Sequence, residues 1–124
     1  MSTKKVLMID DEKEFCDLVK LYLERKGVFE VETLTDSREA MRVAKAFQPD
    51  VIITDLRMPH IGGFELMELL NNDADTQNIP VIVSSALADK ADIKKAYYLG
   101  ANGYVVKPVE LSALETEINR VLGE

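Results

Sequence analysis

The stretch Val51-Ile52-Ile53-Thr54-Asp55-Leu56-Arg57-Met58-Pro59 decides the fold, because a short apolar run ends in a carboxylate and then in a loop. A continuous apolar run of this length is typical of a strand buried on both faces. A carboxylate at the end of such a strand is costly unless other groups use it. Asp10 and Asp11 follow a second apolar run, and Lys107 follows a third. Because ligands of open parallel α/β sheets bind at the carboxyl ends of the strands, we expect one shared site.

Strand patterns alternate with helical patterns along the whole chain. The strand patterns are Lys5–Ile9, Phe29–Leu34, Val51–Thr54, Val81–Ser84 and Gly103–Val106. In Phe29–Leu34, apolar and charged residues alternate, so we expect that strand at an edge of the sheet. Strict alternation of strands and helices predicts the α/β class, with a doubly wound five-stranded parallel sheet flanked by five helices.

The helical patterns repeat apolar residues at spacings of three and four. The segment Asp36-Ser37-Arg38-Glu39 before the second pattern is typical of a capping box. The five patterns are Phe15, Leu18, Val19 and Tyr22; Ala40, Val43, Ala44 and Phe47; Phe64 to Asn71; Asp89 to Tyr98; and Leu111, Leu114, Ile118 and Val121.

Composition limits the classes of protein to which the chain can belong. Its 124 residues fit one domain, which we expect over residues 1–124. No apolar run reaches the roughly 20 residues of a membrane helix, so no membrane role is expected. The single cysteine, Cys16, suits a reducing cytoplasm and is expected to be a packing residue. The net charge of −7 disfavours direct binding to nucleic acid and favours cations or basic partner surfaces.

The acidic residues at the strand ends indicate a metal-assisted reaction of phosphate. Converging Asp10, Asp11 and Asp55 would repel one another, and a divalent cation removes this conflict. Oxygen-only ligands favour Mg²⁺. Lys107 supplies a positive charge for a phosphate, and Ser85 offers a hydroxyl donor at the same edge. These groups match the needs of phosphoryl transfer, in which a carboxylate can be the nucleophile.

Several short motifs stand along the chain in a distinctive order, and together they carry a family resemblance. The motifs are Asp10-Asp11, Asp55-Leu56-Arg57-Met58-Pro59, Ser85-Ala86, Gly100-Ala101, Tyr104 and Lys107-Pro108. Through them the chain resembles the CheY-like receiver domains of two-component response regulators. The resemblance implies a flavodoxin-like sheet with strand order 2-1-3-4-5. It also implies a phosphoacceptor signalling switch that assists its own phosphorylation and dephosphorylation but has no separate substrate turnover.

The resemblance assigns the phosphoryl chemistry to particular residues. Asp55 would accept a phosphoryl group from the phosphohistidine of a sensor histidine kinase or a phosphotransfer protein. Lys107 would pair with the phosphoryl oxygens, and the amides of Arg57 and Ala86 would donate to the same oxygens.

The same resemblance assigns the metal ligands. Asp11, Asp55 and the main-chain carbonyl of Arg57 would bind Mg²⁺ directly, with Mn²⁺ as a substitute. Asp10 would act mainly through water.

The resemblance also implies how a signal leaves the site. Ser85 would hydrogen-bond the phosphoryl group and move on activation, and Tyr104 would rotate inward. The face built from the fourth helix, the fifth strand and the fifth helix would then control a downstream protein or output domain. The Lys107-Pro108 peptide bond is expected to be cis. Gly62-Gly63 lacks the acid that often caps the third helix, and Ala101-Asn102-Gly103 lacks an acidic pair typical of one dimerising subfamily.

Two other functions fit the strand-end acids less well. A metal-dependent phosphatase with an aspartyl nucleophile needs a second aspartate two residues after the nucleophile, where this chain has Arg57. A flavodoxin-like binding module needs a loop that cradles phosphate or flavin after the first strand. Here that loop, Asp10-Asp11-Glu12-Lys13-Glu14, is acidic and free of glycine, and it would repel such a ligand.

Overall fold

In the computed structural model, which describes residues 3–123, strands and helices alternate as predicted. The strands are β1 (Lys4–Ile9), β2 (Phe29–Leu34), β3 (Val51–Thr54), β4 (Val81–Ser85) and β5 (Gly103–Val106). The helices are α1 (Lys13–Glu24), α2 (Ala40–Phe47), α3 (Gly63–Asn71), α4 (Lys90–Tyr98) and α5 (Leu111–Val121). All strand pairs are parallel, and the order β2-β1-β3-β4-β5 confirms the predicted topology.

The burial of each strand follows its place in the sheet. Every residue of the central strand β3 is buried, as its unbroken apolar run predicts. The strand β2 lies at an edge, and its alternating Glu30 and Glu32 are exposed. The prediction of an exposed edge strand is therefore confirmed.

The sheet separates two hydrophobic cores, because successive side chains of a strand point to opposite faces. The first core packs the sheet against α2, α3 and α4 through Leu7, Ile9, Ile52, Val83, Ala44, Leu66, Leu70 and Ala96. The second packs it against α1 and α5 through Val6, Met8, Ile53, Ile82, Val19, Leu23, Leu114 and Ile118.

The buried stripe of α1 differs from the predicted one. Cys16, Val19 and Leu23 are buried, whereas Leu18 was expected in the core and is 55% exposed. Cys16 fits this position because it is small and its Sγ donates to the carbonyl of Asp10 at 3.3 Å. Burial raises the pKa of the Cys16 thiol to about 12, so it stays protonated and acts as the predicted packing residue.

The predicted capping box before α2 forms only in part. Residues Ser37–Glu39 make a single 3-10 turn, and the side chain of Asp36 accepts a hydrogen bond from the amide of Arg38 at 3.0 Å. The carboxylate of Glu39 binds Arg42 instead of reaching back to the cap. The tight turn brings the amide of Arg38 within reach of the Asp36 carboxylate. The reciprocal bond of a capping box, from the amide of Asp36 to the side chain of Glu39, is lost.

The loop after Asp55 is held against the start of α3 by Gly63. The amide of Gly63 donates to the carbonyl of Leu56 at 2.9 Å. A Cβ atom at Gly63 would overlap the backbone carbonyl of Asp55 and the Cα of Leu56. Only glycine permits this approach, which brings α3 directly against the backbone of Asp55.

Ser37 holds the same loop from the other side. Its hydroxyl donates to the carbonyl of Pro59 at 2.8 Å and accepts from the amide of Ile61 at 3.1 Å. Ser37 itself is buried, and both bonds are partly buried. Between these two anchors, His60 adopts a left-handed backbone with φ of 71°.

We predict that Gly63→Ala lowers the free energy of unfolding by about 1–3 kcal/mol, the usual range for overpacking. The measurement is urea unfolding followed by circular dichroism. Gly62→Ser is the control, because a Cβ there meets only the carbonyl of Leu56 at 3.2 Å and the new hydroxyl can cap α3. Equal stability of Gly63→Ala and the wild type would contradict the close packing of α3 on Asp55.

Ser37→Ala is expected to destabilise the fold by about 1–3 kcal/mol, because it removes two hydrogen bonds and leaves the amide of Ile61 only its bond to the carbonyl of Pro59. Faster hydrogen exchange at that amide would report the loss directly. Ser112→Ala, at an exposed position of α5, is the matched control and should change stability by less than about 0.5 kcal/mol. If exchange at Ile61 is unaltered in Ser37→Ala, the hydroxyl does not hold the loop.

Candidate functional site

Three charged residues lie one position beyond the ends of three strands. They are Asp10 after β1, Asp55 after β3 and Lys107 after β5. Their amides still donate to carbonyls of neighbouring strands, namely β2, β1 and β4, at 3.0, 3.1 and 2.9 Å respectively. The sheet therefore fixes the backbone of all three residues at one edge.

The structure brings the predicted carboxylates and the predicted lysine together. Carboxylate oxygens of Asp10, Asp11 and Asp55 all lie within 4.8 Å of one another. Asp10 and Asp55 are buried, and Asp11 is exposed. The Nζ of Lys107 lies 2.6 Å from Asp10 Oδ2 and 3.0 Å from Asp55 Oδ2. The lysine is thus a common counter-ion for the two buried acids.

The electrostatics of this cluster favour a charged lysine. Burial raises the pKa of Asp10, against the hydrogen bonds from Lys107 and the amide of Glu12 that lower it. Burial lowers the pKa of Lys107, but its hydrogen bonds to Asp10, Glu12 and Asp55 outweigh burial and raise that pKa above its usual value. Lys107 therefore keeps its proton at any pH at which the protein functions.

The carboxylate of Asp55 is oriented by two kinds of donor. Its Oδ1 accepts from the amide of Leu56 at 2.6 Å and from that of Arg57 at 3.4 Å. Its Oδ2 faces Lys107. The sequence predicted the Arg57 amide as a donor to phosphoryl oxygens; it did not identify the amide of Leu56, which makes the shorter bond to Asp55 in this structure.

The donor set suits a hard divalent cation. Three carboxylates face a single ammonium, so an uncompensated negative charge remains at the edge of the sheet. Oxygen-only groups of this kind favour cations such as Mg²⁺ or Mn²⁺. The residues present therefore fit the metal that the sequence predicted.

Ser85 and Tyr104 meet at the loop after β4. The buried Ser85 accepts from the amide of Leu87 at 3.1 Å through its Oγ, and the hydroxyl of Tyr104 donates to the carbonyl of Leu87 at 2.6 Å. Burial raises the pKa of Tyr104, which keeps this donor protonated. Ser84 points to the opposite face of the sheet and, within residues 3–123, its buried hydroxyl has no hydrogen-bond partner. Of the two serines, only Ser85 is therefore on the Tyr104 side of the sheet.

Two residues at the site were not identified from the sequence. Glu12 Oε1 lies 2.9 Å from Lys107 Nζ, and the ring of Phe15 lies with its centroid 5.0 Å from the same atom. In the sequence, nothing about Glu12 indicates a role at the site except its position after the acidic pair. Phe15 is indicated only as one of the apolar residues of the first helix. Both line a cleft of about 400 Å³ beside the site, with Ala86, Lys107, Pro108 and Val109.

The predicted cis bond between Lys107 and Pro108 is present.

Comparison with solved structures places the fold among receiver proteins. The chemotaxis protein CheY4 of Vibrio cholerae superposes with a TM-score of 0.90 at 31% identity, over 97% of this chain and 99% of that one. The signal receiver domain of a signal transduction histidine kinase from Syntrophus aciditrophicus gives a TM-score of 0.86 at 30% identity, over 98% and 91% of the two chains.

Curated relatives are longer than this chain. Protein RcaC of Microchaete diplosiphon is 36% identical over 95% of this chain, which spans 18% of that protein. The probable transcriptional regulator ycf27 of Guillardia theta is 37% identical over 96% of this chain, which spans 45% of that protein. The chain thus spans less than half the length of these two relatives.

The family model for the response regulator receiver domain matches residues 6–119. That range contains both acids of the β1 end, Asp55, Ser85, Tyr104 and Lys107. The sheet has the predicted strand order, and its strand-end charges lie together at one edge. This protein therefore belongs to the receiver domains of two-component response regulators.

Proposed function

We propose that the chain is a phosphoacceptor switch in which Asp55 takes a phosphoryl group from a histidine kinase or a phosphotransfer protein. The observation that carries this proposal is the contact of Lys107 with both Asp55 and the buried Asp10. In the transfer, a carboxylate oxygen of Asp55 forms a bond to phosphorus as the P–N bond of the phosphohistidine breaks. The leaving imidazole keeps the electron pair of that bond and takes a proton from solvent.

The residues around Asp55 would stabilise the charge that develops on the transferred group. Lys107 is positively charged and already lies at hydrogen-bond distance from Asp55 Oδ2. The amides of Arg57 and Ala86 would supply further donors for the phosphoryl oxygens. Preorganised donors of this kind are a large source of catalytic stabilisation in phosphoryl transfer.

The carboxylate cluster would hold the cofactor. Asp11, Asp55 and the carbonyl of Arg57 would bind Mg²⁺, or Mn²⁺ in its place, and Asp10 would act mainly through water. The bound cation would neutralise negative charge on the phosphoryl oxygens.

A separate phosphatase activity fits the site less well. An aspartyl phosphatase needs an acid/base two residues after its nucleophile, and Arg57 is permanently charged and cannot serve. A phosphate-cradling binding module also fits poorly, because Asp10, Asp11 and Glu12 follow β1 where such a loop would lie.

We predict that incubation with Mg²⁺ and acetyl phosphate adds the mass of one phosphoryl group to Asp55. Asp55→Asn should abolish labelling, because the neutral amide replaces the nucleophilic carboxylate. Asp11→Asn should abolish both labelling and the rise in melting temperature with Mg²⁺, because the metal site loses a ligand. Intact-protein mass spectrometry and thermal melts are the measurements.

The control for these variants is Asp89→Asn, since Asp89 is exposed at the start of α4 and lies outside the cluster. It should be labelled and stabilised by Mg²⁺ as the wild type is. Mg²⁺-dependent labelling of Asp11→Asn at the rate of the wild type would refute the metal assignment.

The output would leave through the face built from α4, β5 and α5. Ser85 and Tyr104 both contact Leu87, so a change at the phosphoryl site can reach the loop that leads into α4. This face exposes apolar side chains, with Tyr98 88% exposed and Val106 42% exposed. A movement of Ser85 towards the phosphoryl group would free the loop and let Tyr104 change position. A coupling of about 1–3 kcal/mol would let a partner bind the phosphorylated form about 5–150-fold more tightly.

Ser85→Ala is expected to leave labelling of Asp55 largely possible while weakening this response. The measurement is the change of amide chemical shifts on adding a phosphoryl mimic and Mg²⁺. In the wild type, shifts should extend through residues 89–103, and in Ser85→Ala they should shrink there. Ser84→Ala, one residue away on the opposite face, should respond as the wild type does. Shifts confined to the loops around Asp11 and Asp55 in the wild type would rule out this output face.

The partners would be a kinase or phosphotransfer protein and a downstream protein or output domain. Relatives such as the ycf27 protein are named transcriptional regulators, and they extend well beyond the region that this chain matches. With a net charge of −7, residues 1–124 would act as one receiver domain without contacting nucleic acid directly. No helix within residues 3–123 is long and apolar enough to cross a bilayer. The single, buried Cys16, which leaves the chain without an internal disulfide, fits a cytoplasmic location.

A further inference from the structure

The ammonium of Lys107 has all three of its protons directed at carboxylates. Its Nζ lies 2.6 Å from Asp10, 2.9 Å from Glu12 and 3.0 Å from Asp55. An ammonium has three donors, so this set uses all of them. A phosphoryl oxygen arriving at Asp55 can be bound by Lys107 only if one of these contacts opens.

The contact with Glu12 is the one that can open most easily. The side chain of Asp10 is 1% exposed, and that of Asp55 is 11% exposed, so both carboxylates are screened from water beside Lys107. The side chain of Glu12 is 63% exposed. Because an exposed ion pair contributes little, Glu12 can be exchanged for another anion at small cost.

The backbone of Glu12 shows that its side chain is not engaged in local structure. Glu12 is the N-cap of α1, and within residues 3–123 it makes no side-chain capping bond. Its amide donates to Asp10 Oδ1 at 2.9 Å, and its carbonyl accepts from Cys16 at 3.1 Å. These two bonds fix the main chain, and the carboxylate itself contacts Lys107.

We propose that Glu12 is a positioning residue whose carboxylate accepts the third hydrogen bond of Lys107 in the resting state. The incoming phosphoryl group displaces this carboxylate from Lys107. This inference rests on the proposed function of Asp55. Glu12 also places a negative charge on the cleft wall beside Lys107, through which a donor would approach. It therefore disfavours small donors in proportion to their negative charge, and it slows phosphorylation that does not come from a docked partner.

The test compares labelling rates of Asp55 at saturating Mg²⁺ with two donors, dianionic acetyl phosphate and the less charged phosphoramidate. Glu12→Gln should be labelled by acetyl phosphate about two- to five-fold faster than the wild type, as expected for loss of one exposed ion pair. The gain with phosphoramidate should be smaller. Glu14→Gln removes the same charge from an exposed position in the first turn of α1 and should leave both rates unchanged.

A second variant separates the effect of the contact between Glu12 and Lys107 from an effect on the stability of the fold. Glu12→Asp keeps the charge, is one methylene too short to reach Lys107, and is a better N-cap. It should be labelled faster than the wild type while its melting temperature stays equal or rises. A purely structural role for Glu12 would not raise the rate and the stability together.

The outcomes distinguish this inference from the proposed function. If the wild type is not labelled on Asp55, the proposed function fails, and the role of Glu12 fails with it. If the wild type is labelled but Glu12→Gln matches Glu14→Gln, only the role of Glu12 is wrong. An equal gain of Glu12→Gln with both donors would support its displacement from Lys107 and overturn the selection by donor charge. Labelling of Glu12→Asp at the wild-type rate would likewise overturn it.

Discussion

The attraction between the ammonium of Lys107 and the carboxylates of Asp10 and Asp55 is the interaction on which the site depends. Two buried acids would otherwise repel each other, and one would take up a proton. Removing one partner of such a buried pair is strongly destabilising, because the other charge stays buried without compensation. The pair forms only if β1, β3 and β5 end at the same level. The parallel register and the amide bonds that continue past each strand end provide this alignment.

The two loops beside Asp55 differ in how firmly they are held. The loop after β3 is fixed by the buried hydroxyl of Ser37 and by the contact of Gly63 with the backbone of Leu56. The loop after β4 is tied through Leu87 to the hydroxyls of Ser85 and Tyr104. Hydroxyl bonds can be exchanged without moving a strand. Asp55 can thus keep its position while the neighbouring loop changes.

The curated relatives contain the same kind of domain within a longer protein. A receiver domain needs one face that meets the phosphoryl donor and another that reports the result. The strand-end charges lie at the carboxyl edge of the sheet, whereas the exposed Tyr98 ends α4 and the exposed Val106 ends the edge strand β5. Relatives such as RcaC extend far beyond the region that this chain matches.

The sequence by itself determined the order of strands and helices along the chain, the edge position of β2, and the gathering of Asp10, Asp11 and Lys107 around Asp55. Apolar periodicity and charges at strand ends are local signals, and parallel topology turns them into one site. The tertiary structure alone decided the rest. The sequence did not show which face of α1 is buried, because Leu18 and Val19 are adjacent and only packing against the sheet distinguishes them. It did not show the role of Ser37, whose partners lie across a different loop. The contact of Glu12 with Lys107 joins residues 95 positions apart, and no local pattern encodes such a contact.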